Sequence, residues 1–84
     1  TLKQNYPNPF NPATTIAYEL PEKGNVKLLI YNLLGEEVAV LINEEKDAGR
    51  YYINWNASEF SSGVYFCKII YNNKSLINKM VLIK

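Results

Sequence analysis

The amino-acid sequence predicts an all-β domain, a small antiparallel sandwich of about seven strands of the immunoglobulin or fibronectin type. Three observations favour this fold class. Short segments alternate apolar and polar residues, turn residues separate them at intervals of about ten positions, and no stretch is a credible helix. The 84 residues, 1–84, make one domain, because a chain of this size supports a single hydrophobic core. Its stability should be on the order of a few kcal/mol.

Residues 4–12 form a proline-rich arm that differs from ordinary helix or strand sequence. Each proline fixes its own φ and pushes the preceding residue towards an extended conformation, which excludes a helix. Prolines cannot donate to a ladder, so the arm should be extended or lie at a sheet edge. We expect Tyr6 and Phe10 to anchor the arm, and its asparagines to close Asx-turns. The motif residues are Pro7, Asn8, Pro9, Phe10, Asn11 and Pro12.

The strands follow from alternating patterns and β-branched or aromatic residues. Val38 should contact the core, and Leu41 should do so as well if its strand is bulged. A helix over residues 33–46 is rejected, because Val38, Val40 and Ile42 are β-branched and strands flank the segment. The predicted strands are 14–20, 26–31, 37–42, 50–55, 64–71 and 75–84, of which 26–31 should be central because both of its faces are largely apolar.

Four connections carry specific expectations. A tight turn ending at Gly35 should tuck Leu33 or Leu34 inward, and the charged residues 43–49 should be a solvated loop. Asn72 and Asn73 form a hairpin turn signal. Gly63 precedes a dense strand where the chain must turn sharply, so it should adopt a positive φ.

Composition argues against several classes of function. Lys and Arg total 9 against 8 Asp and Glu, and this net charge of +1 offers no general attraction for nucleic acid or an anionic membrane. Histidine is absent and Cys67 is the one cysteine, so we expect no disulfide, metal site or cofactor. No apolar run is long enough to span a membrane and no signal peptide is present. The missing initiator Met indicates a piece of a longer protein.

Catalysis is not expected either. Ser58, Ser61, Ser62 and Cys67 lack a histidine that could activate them, and Cys67 lies in an apolar strand, where a small core residue is the usual role. The aromatic residues suggest carbohydrate stacking as an alternative. Trp55 and Tyr65 nevertheless have core spacing, whereas Tyr52 and Tyr71 are the better candidates for exposure.

The run at residues 4–16, Gln-Asn-Tyr-Pro-Asn-Pro-Phe-Asn-Pro-Ala-Thr-Thr-Ile, resembles the opening of the type A C-terminal sorting domains of the type IX secretion system. Further landmarks of that family occur in order over essentially the whole chain. They are residues 20–21, 26–28, 31–38, 48–49, 55–57, 62–66 and 79–84. Flagellar hook-capping proteins carry an immunoglobulin-like module with a similar pattern.

The resemblance implies a non-catalytic label, monomeric and covalently linked to an upstream cargo. An outer-membrane translocon would recognise it, and a sortase-like peptidase would remove it from many cargoes. The cargo would reach the cell surface or the medium through the periplasm. The tail offers a terminal strand whose open edge could be augmented by a receptor. Its residues are Lys79, Met80, Val81, Leu82, Ile83 and Lys84. A passive spacer, as in hook-capping proteins, and a carbohydrate-binding module are the alternatives.

Overall fold

The computed structural model describes all 84 residues, as six strands and no helix. The all-β prediction is confirmed, with six strands instead of about seven. The arm accounts for this difference, because its prolines interrupt regular pairing and leave isolated bridges. The strands are β1 (Ala13–Leu20), β2 (Gly24–Asn32), β3 (Glu37–Lys46), β4 (Gly49–Asn56), β5 (Gly63–Tyr71) and β6 (Lys74–Leu82).

Two antiparallel sheets pack face to face. One contains β1 and β4, and the other has the order β3-β2-β5-β6. Residues 1–6 extend the smaller sheet at the free edge of β1, where the Lys3 N–H donates to the Ala17 carbonyl at 3.0 Å and Tyr6 exchanges two bonds with Thr15. The smaller sheet therefore has three segments, residues 1–6, β1 and β4, and it faces a sheet of four strands, an arrangement of the fibronectin type.

The core lies between the sheets and follows the period-two pattern of the sequence. β1 alternates without exception, burying Thr14, Ile16, Tyr18 and Leu20. β2 is central, as predicted, with Leu29 of its outer face only 6% exposed. Trp55 is 4% exposed and its ring centroid lies 5.6 Å from that of Tyr65 in the facing sheet, so the predicted burial of Trp55 is confirmed.

The prediction that residues 43–49 form a solvated loop is wrong for most of that segment. β3 continues to Lys46, and its polar end pairs with β2 from Gly24 to Lys27. As an edge strand β3 can expose charged side chains while its backbone is paired, which a pattern of side chains does not reveal. The register shifts between Leu28 and Leu29, and this bulge lets Leu41 pack half-buried against the core.

Leu33 and Leu34 are 70% and 83% exposed, so the prediction that one of them points inward is wrong. Asn32 decides the geometry of this turn. Its side-chain oxygen accepts the N–H groups of Leu34 at 3.0 Å and of Glu36 at 2.9 Å, and Gly35 closes the turn with φ of 83°. This polar closure projects the turn away from the sandwich.

Two tyrosines near the beginning of their strands bond back to the loop that precedes the strand. Tyr65 donates its hydroxyl to the Ser61 carbonyl at 2.7 Å, and Tyr51 does the same to Asp47 at 2.7 Å. The Tyr65 contact has the form of the tyrosine corner found in immunoglobulin-like sandwiches. The predicted Asn72-Asn73 hairpin is also confirmed, since both residues have positive φ, 48° and 63°.

Gly63 has φ of 155°, which confirms the predicted positive φ. A Cβ there would meet no atom within 4 Å, so the conformation and not a clash restricts the residue. We expect Gly63→Val to lower the free energy of unfolding by more than about 1 kcal/mol. Urea denaturation measures the change, with Ser61→Val in the same exposed loop as the matched control. Equal stability of the two variants would contradict this account.

Candidate recognition surface at the tail

The tail, residues 79–84, alternates between core and solvent. Met80 and Leu82 are 0% and 1% exposed, so they complete the core from the edge strand. Val81 is half-buried, and Lys79, Ile83 and Lys84 are exposed. The tail therefore presents the Lys79 and Ile83 side chains outward, whereas the exposed Lys84 side chain reaches back and its ammonium group donates to the Ser58 carbonyl.

The arm covers the backbone edge of the tail. The Phe10 N–H donates to the Val81 carbonyl at 3.0 Å, and the Ile83 N–H donates to the Phe10 carbonyl at 3.0 Å. Side-chain amides add two more bonds, because Asn8 accepts the Val81 N–H at 3.0 Å and Gln4 donates to the Lys79 carbonyl at 2.8 Å. The prediction of an open edge along the tail is therefore wrong. Sequence patterns identified an edge strand but not the segment that covers it.

Phe10 is the side chain that anchors the arm. It is 2% exposed, and its ring centroid lies 5.7 Å from that of Trp55. Tyr6 was expected to be a second anchor, but it is 81% exposed. Its backbone pairs with Thr15 in the sheet, and this register turns the ring towards solvent.

Asn5 supplies the polar contact that Tyr6 does not. It is 4% exposed, and its amide donates to the Thr14 hydroxyl at 2.9 Å and to the Pro7 carbonyl at 3.1 Å. Thr14 donates to the same carbonyl at 2.8 Å. Instead of closing the expected Asx-turns, Asn5 bonds to Thr14 and the Pro7 carbonyl, and Asn8 bonds to Val81. The other motif residues, Pro7, Asn8, Pro9, Asn11 and Pro12, are exposed.

Charge is segregated along the chain. Residues 60–84 contain four lysines and no carboxylate. The three ion pairs lie elsewhere, namely Lys23–Glu45, Lys46–Glu44 and Arg50–Glu19. The four lysines of the β5–β6 hairpin and the tail therefore make no ion pair, although the Glu22 carboxylate accepts from the Asn72 amide at the hairpin turn. Unpaired cations favour acidic partners. The net charge of +1 hides this segregation.

The structure brings no catalytic group together. Cys67 is buried, and burial raises the pKa of its thiol to about 12, so the thiolate is scarce at neutral pH. No group of three or more His, Cys, Asp or Glu residues could hold a metal ion. Since the fold has no helix, none is present that could cross a membrane.

The aromatic rings serve mainly as core. Trp55 packs against Phe60 with a centroid separation of 5.5 Å, as well as against Phe10 and Tyr65. Tyr52 is 72% exposed, as predicted. Tyr71, which was expected to be exposed, is half-buried because its hydroxyl bonds to the Glu22 backbone. No exposed cluster of rings includes Trp55.

Sequence reasoning missed the contribution of Gln4 and Asn8 to the tail. Their side-chain amides bond to the tail at places where a regular neighbouring strand would supply backbone groups. The prolines on both sides of Asn8 have no backbone N–H, and this is the sequence signal that side chains must make some of the bonds. No local pattern indicates which distant strand receives those bonds.

The chain is thus an all-β sandwich whose thiol is buried and whose terminal strand is covered by the arm. Its family is also established: residues 4–84 match the model of the secretion system C-terminal sorting domain, so the chain belongs to that family. Members are C-terminal sorting signals for type IX secretion, a family of labels and not of catalysts. The label marks a cargo protein for passage across the outer membrane to the cell surface or the extracellular space. None of the curated proteins compared with the chain matches it.

Proposed function

We propose that the outer-membrane translocon of the type IX system recognises the folded sandwich together with its tail. The observation that supports this is the way the tail is held. β5 pairs with it on one side and the arm on the other, and Met80 and Leu82 are fully buried. A tail fixed in this way is presented as a rigid surface, which lowers the entropic cost of recognition.

The groups available to the translocon are the exposed ones, Lys79, Ile83 and Lys84. Exposed cations at the rim of an interface mainly affect the encounter rate and the specificity. Ile83 is 54% exposed and adds apolar area beside the Lys84 ammonium group. The pattern fits an acidic receptor surface with an apolar centre.

We expect a sortase-like peptidase that separates the label from its cargo to cut outside the residues that pair with β1. The Thr1 backbone already belongs to the sheet, since it donates to the Glu19 carbonyl at 2.8 Å and accepts the Glu19 N–H at 2.8 Å. A paired strand resists proteolysis because it must open before it can enter a peptidase.

The test is export of a periplasmic reporter fused to this chain, in a host that has the type IX system. We expect the Lys79→Ala and Lys84→Ala double variant to leave most of the reporter in the periplasm, because it removes both cations and leaves the buried side chains intact. Reporter activity in the medium and in the periplasm is measured, together with the melting temperature of each variant. The matched control is Lys23→Ala with Lys27→Ala, which removes the same charge from exposed residues outside the tail.

A second fusion lacks residues 79–84. If the truncated fusion is not exported but the Lys79→Ala and Lys84→Ala double variant is, then the translocon recognises the folded sandwich and not the two lysines. Normal export of both fusions, with the truncated one shown to be intact, would contradict the proposal and favour a passive spacer.

A further inference from the structure

The first half of β6, residues 74–77, is the least covered part of the sandwich. Leu76 faces the other sheet, as Met80 and Leu82 do, since the three share the same parity in one strand. Met80 and Leu82 are 0% and 1% exposed, but Leu76 is 50% exposed. Ile77, on the opposite face, is 57% exposed. Apolar side chains are thus uncovered on both faces of this half-strand.

The backbone here is also unpaired on one side. The pairing of β5 with β6 is unbroken from Tyr71–Lys74 to Gly63–Leu82. Val81 uses both its N–H and its carbonyl group for the arm. The N–H and carbonyl groups of the odd-numbered residues of β6 therefore point away from β5, towards the edge of the sheet. Neither the arm nor any side chain bonds to Ser75 or Ile77. We call these two residues the free edge.

A cleft of about 530 Å³ opens beside the free edge, between the ends of the two sheets. Leu20, Ile69 and Leu76 give it an apolar lining, and Arg50 and Lys74 lie around it. Glu19 is its one carboxylate and is paired with Arg50 at 2.6 Å. Lys74 therefore has no counter-ion in the structure.

We infer that the free edge and this cleft bind an extended acidic segment of a partner protein. The segment adds to β6 as a strand, places an apolar side chain in the cleft and sets carboxylates near Lys74. Unpaired backbone groups favour strand addition. Charge complementarity selects an acidic strand, because Lys74 at the cleft makes no ion pair whereas Arg50 and Glu19 neutralise each other.

Two other occupants fit these features less well. A lipid surface could meet the lysines but would leave the backbone groups of Ser75 and Ile77 without a strand to bond. A second copy pairing antiparallel through the same edge would set Ser75 opposite Ile77 and Lys74 opposite Asn78, so it would bring no carboxylate to Lys74. The inference rests on the free edge and cleft, which lie outside the tail, and is independent of the proposed translocon contact.

The experiment selects displayed random linear peptides against the immobilised 84-residue chain. We expect the enriched peptides to alternate apolar residues with Asp or Glu. The best peptide is then synthesised with N-methyl groups on alternate amides. Methylation of the set that faces β6 should abolish binding, and methylation of the other set should preserve it, because only one set bonds to the free edge.

Substitutions in the chain locate the site. We expect Lys74→Glu and Leu76→Ser each to raise the Kd of the selected peptide by about tenfold or more. The matched controls are Lys27→Glu and Leu34→Ser, which make the same chemical changes at exposed residues elsewhere and should leave the Kd unchanged. Melting temperatures of all four variants separate lost binding from lost folding.

Several results would overturn the inference. They are the absence of enriched peptides, a basic consensus, equal loss of binding for both methylated sets, or equal effects of the site and control variants. Co-sedimentation with phosphatidylglycerol vesicles tests binding to a lipid surface, and sedimentation of the chain alone tests pairing with a second copy. Vesicle binding or self-association that Lys74→Glu abolishes, without peptide enrichment, would assign the surface to a membrane or to a second copy. Lys79 and Lys84 are unchanged throughout, so the outcome is separate from that of the export assay.

Discussion

Trp55→Ala should largely unfold the protein. Trp55 is 4% exposed and its ring contacts Phe10, Phe60 and Tyr65, at centroid separations of 5.5 to 5.7 Å. Truncation of a buried aromatic side chain costs about 3–5 kcal/mol, and a domain of this size has only a few kcal/mol of stability. Urea denaturation followed by far-UV circular dichroism measures the loss.

Tyr52→Ala is the matched control for Trp55→Ala. Tyr52 lies in the same strand on the opposite face and is 72% exposed, so its removal should change stability by less than about 0.5 kcal/mol. A near-native denaturation midpoint for Trp55→Ala would show that the indole is not part of the core, and would favour the carbohydrate-binding alternative.

Phe10→Ala should have the second large effect, because it loosens the arm from the tail. Phe10 is 2% exposed, and its backbone makes two of the bonds that cover the edge of the tail. We expect a loss of about 3–5 kcal/mol in the free energy of unfolding. Native-state hydrogen exchange should also show faster exchange at the amides of Val81 and Ile83, which donate to Asn8 and Phe10.

Tyr6→Ala tests the same arm at an exposed position. Its ring is 81% exposed, so we expect stability and exchange at Val81 and Ile83 to remain close to those of the unchanged chain. Protected Val81 and Ile83 amides in Phe10→Ala, with wild-type stability, would mean that the arm does not depend on this side chain.

Prediction from the sequence succeeded for features that depend on neighbouring residues. The alternation in β1, the hairpin turn at Asn72 and Asn73 and the positive φ of Gly63 all follow from the local preferences of side chains and backbone. The burial of Trp55 and Cys67 also follows from strand periodicity. Within the tail, the same periodicity separates the buried Met80 and Leu82 from the exposed lysines.

Prediction failed where hydrogen bonds to the backbone, and not the periodicity of side chains, decide where a residue lies. Leu33 and Leu34 are apolar, yet the Asn32 side chain closes their turn outside the core. The polar end of β3 becomes a strand because β2 offers a ladder to it. Tyr6 points to solvent because pairing with Thr15 sets its register. Each outcome depends on hydrogen bonds made by the backbone, which side-chain patterns describe poorly.

The sequence by itself determined the all-β class, the strand periodicity, the proline-rich arm and the residues that resemble the sorting family. The tertiary structure alone decided which edge of the sandwich is open. The arm and β6 are separated by more than sixty residues, and only folding brings Gln4, Asn8 and Phe10 onto residues 79–83 while leaving Ser75 and Ile77 unpaired. The physical reason is that the hydrogen bonds of a strand edge are satisfied by whatever segment packs beside it, and that proximity is set by the whole core and not by local sequence.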